Sequence, residues 1–222
     1  MYKAVIFDLD GTLLDTLTDI AISANYVLEN YNKSPLPIED YNLLVGQGAS
    51  QLFRDLLPEL PDDEQNEALA LFEKHYATQF SKNTKIYEDI NKVLTFFQVR
   101  DIKMAILSNK PNVFTKKCAL KYLRNWKFDA VYGIRDGIKR KPDTQGVEEI
   151  LKELDVKADE TLFVGDTKVD MLTAQNANMD SIGVLWGFRE REELVEHGAK
   201  FIVSEPIEII KLISTKKIME RN

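Results

Sequence analysis

The sequence predicts an α/β protein, a Rossmann-like parallel sheet domain with an inserted α-helical cap. Three observations predict the sheet and its insert. Short runs rich in β-branched and apolar residues recur along the chain, stretches of helical period lie between them, and a long segment without strand character follows the first run. The runs cover residues 3–7, 103–107, 130–132, 161–164, 181–185 and 201–203. They are short and predominantly apolar, as strands buried on both faces are. The helical stretches cover 90–99, 113–122, 146–154, 169–177 and 207–213. Such alternation implies a parallel sheet with helices on both sides.

About 100 positions separate Asp8 from Ser108, where one crossover helix needs about a dozen or more residues. Within that gap Ile20, Ala24, Val27, Leu28 and Tyr31, then Leu52, Leu56 and Leu57, then Leu69, Phe72, Tyr76 and Phe80 recur at helical spacing. Breaks at Ser34-Pro35-Leu36-Pro37, at Gly46-Gln47-Gly48 and from Pro58 to Pro61 divide the segment into about four helices. The expected division is therefore a sheet domain of residues 1–15 and 88–222 and a helical cap of 16–87, the cap carrying no strand. The basic tail of Lys216, Lys217 and Arg221 reads as a solvated, fraying end.

Composition narrows the function. Twenty-nine basic against 36 acidic side chains leave a net charge of -7, which repels phosphate backbones and anionic lipid. Neither nucleic acid nor a membrane is an expected partner. The single cysteine, Cys118, cannot form an internal disulfide and fits a reducing, cytoplasmic compartment. Met1-Tyr2-Lys3 leads straight into a run that ends at Asp8 and Asp10, so neither a signal peptide nor a spanning helix is expected there. His75 and His197 are far apart and no Gly-x-Ser-x-Gly occurs, which leaves a Ser-His-Asp hydrolase or a multi-histidine metal site little to stand on. Carboxylates are left to carry any chemistry. A monomer and a homodimer are both compatible with the sequence.

In an open parallel sheet, ligands bind beyond the carboxyl ends of the strands. Those ends are polar here. Asp8-Leu9-Asp10-Gly11-Thr12 closes the first run, Ser108-Asn109-Lys110 the second, and Gly165-Asp166-Thr167-Lys168-Val169-Asp170 the fourth, while Lys139-Arg140-Lys141-Pro142 follows the third. Each segment alone has a plainer reading. The first could be a turn, Ser108-Asn109 a helix N-cap, Asp166 and Asp170 complements to a helix dipole, and the lysines a solvated loop. Their conjunction at the ends of strands expected to be neighbours points instead to a site. Clustered carboxylates need a cation, and an oxygen set of this kind suits Mg2+. A carboxylate, a hard cation, a hydroxyl and a lysine around one point suit phosphoryl transfer.

These four segments resemble, in order and approximate spacing, the four motifs of the haloacid dehalogenase-like hydrolase superfamily. The likeness covers nearly the whole chain. The helical insert, with Val45-Gly46-Gln47-Gly48-Ala49, resembles the cap and a cap loop of the superfamily's phosphoglycolate phosphatase-like branch. The resemblance implies Asp8 as nucleophile, Asp10 as general acid and base, and Mg2+ held by Asp8, the Asp10 carbonyl and Asp166, with Asp170 close by. It implies Ser108 and the Asn109 amide on the phosphoryl oxygens, Thr12 with them, Lys141 balancing charge, and Gln47 within reach of the substrate. Asp10 argues for phosphate over halide, because dehalogenases of this fold need no acid two residues after the nucleophile.

Two segments depart from the branch. Lys141-Pro142-Asp143-Thr144 lacks the second proline of Lys-Pro-x-Pro, leaving Lys139 and Lys141 as alternatives for the inward lysine. Asn178 stands where a glycine usually ends the helix after Asp170, and asparagine tolerates the left-handed conformation needed there. Trp186 and Cys118 read as packing residues. The expected activity is Mg2+-dependent hydrolysis of small-molecule phosphate monoesters, phosphoglycolate first, with sugar phosphates, pyrophosphate and nucleotides open. A phosphomutase of the β-phosphoglucomutase kind is the nearest rival. A signalling receiver domain is excluded by the place of Asp8 and the size of the insert.

Overall fold

The computed structural model of the chain describes residues 2–219, with side chains through residue 214. In chain order, β1 (Ala4–Phe7) and β2 (Leu14–Asp15) precede four helices, α1 (Leu17–Asn30), α2 (Tyr41–Leu44), α3 (Ala49–Leu56) and α4 (Asp62–Gln79). Then come β3 (Lys85–Ile86), α5 (Ile90–Gln98), β4 (Lys103–Pro111), α6 (Asn112–Tyr122), β5 (Ala130–Ile134) and α7 (Gln145–Leu154). The chain continues through β6 (Thr161–Gly165), α8 (Lys168–Asn176), β7 (Asp180–Val184), α9 (Arg191–Glu196), β8 (Phe201–Val203) and α10 (Pro206–Met219). The basic residues Lys216, Lys217 and Arg221 lie outside the described side chains.

Six strands form one sheet in the order β5-β4-β1-β6-β7-β8, each pair parallel. Strand β1 shows how a fully apolar run serves such a sheet. Val5 and Phe7 enter a core with Ile90, Val93, Leu94 and Phe97 of α5 and Ile209 and Ile213 of α10. Ala4 and Ile6 point the other way, into a core with Val147 and Ile150 of α7 and Ala174 of α8. All four β1 side chains are fully buried, so period-2 alternation separates the two layers without any polar residue to mark it.

Helices α1 to α4 enclose an apolar core of their own, built on Ala24, Val27, Leu52, Phe53, Phe72 and Tyr76 and extended by Phe114 and Phe188 from the sheet side. Residues 16–87 carry no strand signal in the sequence, but β3 lies within them and pairs antiparallel with β2. Two residues per strand are too few to show an alternating pattern, which is why this ribbon was not legible. It joins the two chain crossings between the helices and the sheet. Asp19, in the first turn of α1, braces the same place. Its buried carboxylate accepts hydrogen bonds from the backbone N–H groups of Asn83 and Thr84 and from both side chains, at 2.8 to 3.1 Å.

All six expected runs are strands, β4 continuing to Pro111. Helix α9 was not anticipated, its six residues being too short for a periodic signal. Asn178 takes a left-handed φ of 55° just beyond α8, the conformation asparagine was expected to supply.

Candidate active site

The strand order places the carboxyl ends of β4, β1 and β6 side by side. Asp8 follows β1 directly and its N–H donates to the Val164 carbonyl of β6 at 2.9 Å. Ser108, Asn109 and Lys110 lie at the end of β4, where its pairing with β5 shifts register, and all three line one cleft. Asp166 follows β6, and Asp170 lies one turn further on, in α8. Gly11 is required in the turn after β1. Its φ is +82°, and a Cβ there would lie 2.2 Å from Asp166 Oδ2, so any side chain would displace a carboxylate of the site.

The lysine question is settled by burial. Lys141 Nζ stands 2.6 Å from Asp170 Oδ1 and 3.0 Å from Asp8 Oδ1 with only 2% of its side chain exposed. Lys139 is 72% exposed and pairs with Asp143. Asp170 is engaged on both oxygens, since Oδ2 accepts from the N–H and hydroxyl of Thr167. That arrangement suits a residue that orients the lysine and the start of α8.

Thr12 departs from expectation. It is fully buried, and its hydroxyl donates to Asp166 Oδ1 at 2.8 Å, while Asp166 Oδ2 accepts from the Phe188 N–H at 2.9 Å. Thr12 therefore aims a carboxylate and does not face the cleft. The Asn109 side chain is likewise spent, its Nδ2 donating to the carbonyls of Gly46 and Lys141 and its Oδ1 accepting from the Lys141 N–H. It ties the lysine loop to the helical insert.

Asp8, Asp166 and Asp170 offer oxygens within 4.8 Å of one another, all three residues being buried. Burial pushes the Asp8 carboxyl up to about 7, with Asp170 and Asp10 adding to the rise and Lys141 opposing it. Burial raises Asp166 well above the usual range too, reinforced by Asp170 and Asp8. Burial would lower Lys141, but Asp170 and Asp8 outweigh it and hold the ammonium charged. Three carboxylates against one lysine leave the cluster short of positive charge. Asp8 Oδ1 is also buried without an aligned hydrogen-bond donor. An oxygen-ligated divalent cation fits both deficits.

A pH dependence follows. In chelator, folded Asp8 keeps its proton up to about pH 7, whereas the unfolded chain loses it in the ordinary carboxylate range. A raised acid contributes no penalty at low pH and destabilises the fold as pH rises through that interval. Chelated Asp8→Asn protein is expected to be more stable than the native chain at about pH 8, the gap closing toward about pH 4. Thermal unfolding across that range checks it; a gap that does not change with pH would count against the assignment.

Above the cluster opens a cleft of about 560 Å3, mouth included, lined by Asp8, Asp10, Ser108, Asn109 and Lys110 below and by residues of the helices above. Asp10 meets Lys110, whose Nζ is 2.8 and 2.9 Å from its two oxygens and 4.8 Å from the Tyr76 ring centroid. Gln47 is not among the cleft's lining residues, whereas Gly46 and Gly48 are. A Cβ at Gly48, where φ is +90°, would come within 3.0 Å of the Asn109 carbonyl. The loop therefore meets the site through its backbone, and the Gln47 carbonyl accepts from Arg140 outside it.

The model of the haloacid dehalogenase-like hydrolase family matches residues 5–184. This chain belongs to that family. Among haloacid dehalogenase-like hydrolases it is similar to the phosphoglycolate phosphatase of Colwellia psychrerythraea, 28% identical over 222 residues and 97% of each chain. The corresponding enzyme of Nitrosospira multiformis is 30% identical over 220 residues and 95% of each. A candidate phosphoglycolate phosphatase from Lactobacillus delbrueckii subsp. bulgaricus superposes with a TM-score of 0.90 at 30% identity, covering 96% of this chain and 98% of the other. The chain is thus a phosphoric monoester hydrolase of the haloacid dehalogenase-like fold. Among the described residues no helix is long and apolar enough to cross a membrane.

Lys110 had no role assigned from the sequence, although a lysine on a buried strand two residues after Ser108 was a signal. The cleft's upper wall gave no signal, because Ile20, Leu52, Phe72 and Tyr76 follow the same helical period as ordinary core residues.

Proposed function

We propose that this hydrolase cleaves small phosphate monoesters in two displacements at phosphorus, with Asp8 as the nucleophile. The observation that carries the reading is the Asp8 carboxylate itself. It faces the cleft with Lys141 at 3.0 Å, an oxygen lacking an aligned donor and a second acid, Asp10, two residues on.

Asp8 attacks phosphorus as the ester P–O bond breaks, and Asp10 hands its proton to the departing oxygen. Asp10 then takes a proton from water, which attacks the aspartyl-phosphate and releases phosphate and free Asp8. Lys110 holds Asp10 in place between these transfers, Ser108 donates to a phosphoryl oxygen, and Lys141 balances charge on nucleophile and phosphoryl group. Asp8, the Asp10 carbonyl and Asp166 would hold Mg2+, with Asp170 and Thr12 orienting the set. The ion when bound neutralises charge on the transferred group.

Phosphoglycolate is the compound that the relatives' names bring to the panel. Phosphate release is expected with Mg2+ and to vanish in excess chelator, across phosphoglycolate, pyrophosphate, hexose phosphates and nucleotides. Turnover undiminished by chelator would reject the metal. Isomerised sugar phosphate with little free phosphate would favour a mutase.

A further inference from the structure

The cleft is divided by chemistry. Its floor is polar and its upper wall is apolar, made by Ile20 of α1, Leu52 of α3, Phe72 and Tyr76 of α4, and Phe114 of α6. Phe72 and Tyr76 stack with ring centroids 5.4 Å apart, and Phe114 meets Tyr76 edge-on at 5.1 Å, so this wall is a packed aromatic surface.

The lining contains one cation, Lys110. Both Asp10 oxygens are bound to it and the Tyr76 ring covers it. Neither nearby arginine lines the cleft: Arg189 donates through Nη2 to the carbonyls of Leu43 and Val45 and pairs with Glu193, its Nη1 being buried without a hydrogen-bond partner, and Arg140 donates to the Gln47 carbonyl. A carboxylate carried by the leaving group would be desolvated against these apolar side chains with no cation on the lining besides Lys110, a costly placement. An alkyl or aryl group there would be rewarded by burial.

We infer that this enzyme selects phosphate monoesters of uncharged alcohols that carry an apolar or aromatic group, and discriminates against carboxylate-bearing esters such as phosphoglycolate. The inference rests on the phosphatase reading above. The phosphoryl group sits on the polar floor, and the alcohol portion lies against the wall formed by Leu52, Phe72, Tyr76 and Phe114.

The test compares methyl, propyl and benzyl phosphates with phosphoglycolate, all esters of aliphatic hydroxyls, so that leaving-group reactivity does not mask recognition. From methyl to benzyl phosphate, kcat/KM is expected to rise at least about tenfold, mainly through KM, with phosphoglycolate below methyl phosphate. Calorimetric binding to Asp8→Asn protein should give the same order without turnover. Ala49→Lys would place a cation on the cleft lining at a partly buried position at the start of α3. It is expected to move the preference toward phosphoglycolate by about tenfold. Should that variant not fold, the native series and the binding order decide alone. Phosphoglycolate equal to or better than benzyl phosphate, a flat series, or an unmoved preference in folded Ala49→Lys would overturn the inference while leaving the phosphatase reading intact. No phosphate from any ester would instead overturn that reading.

Discussion

Asp8→Asn is expected to slow phosphate release by about a thousandfold or more while leaving the fold intact. An amide has nearly the shape of the carboxylate but is a poor nucleophile and a poor cation ligand. Asp8 is buried at the end of the central strand, and the substitution removes one negative charge from a cluster with too many. Its stability in chelator should therefore not fall. The separation of a large loss in rate from an undiminished melting temperature distinguishes a chemical role from a structural one. Comparable losses in both would place Asp8 in the architecture alone.

Lys141→Met is expected to damage both. The methionine is of similar length and apolar, but it leaves Asp8, Asp166 and Asp170 buried together without their one ammonium. Removing one partner from a buried ion pair costs about 3–5 kcal/mol. Loss of the charge facing the phosphoryl group should slow turnover by about a hundredfold or more. Denaturant unfolding in chelator measures the first effect, and Mg2+ should recover part of it by supplying charge to the same oxygens. A variant as stable as the native chain in chelator would show that Lys141 does not neutralise this cluster.

Some of this was open to reading in the sequence and some was not, for physical reasons. The strands were legible because burial on both faces leaves an apolar run with no other explanation, as in β1. The polar ends of β1, β4 and β6 were legible because an aspartate or lysine closing such a run is conspicuous. What each oxygen touches was not. Thr12 lies close to Asp8 and Asp10 in sequence but turns its hydroxyl to Asp166, a partner brought close only by the pairing of β1 with β6. The resemblance of its loop to a cap loop puts Gln47 within reach of the substrate, yet it is Gly46 and Gly48, both at positive φ, that line the cleft. The ribbon of β2 and β3 is too short to carry a pattern. The aromatic wall was hidden because one helical face serves core and cleft alike, and only the packed structure shows where the core ends.

The most direct test of the central claim is to mix the enzyme with Mg2+ and a phosphate ester, quench in acid within one turnover, and locate phosphoryl groups on the protein by peptide mass spectrometry. One phosphoryl group is expected on Asp8, absent from the Asp8→Asn protein. Full turnover with phosphate on another residue, or with none trapped on the protein at any time, would contradict it.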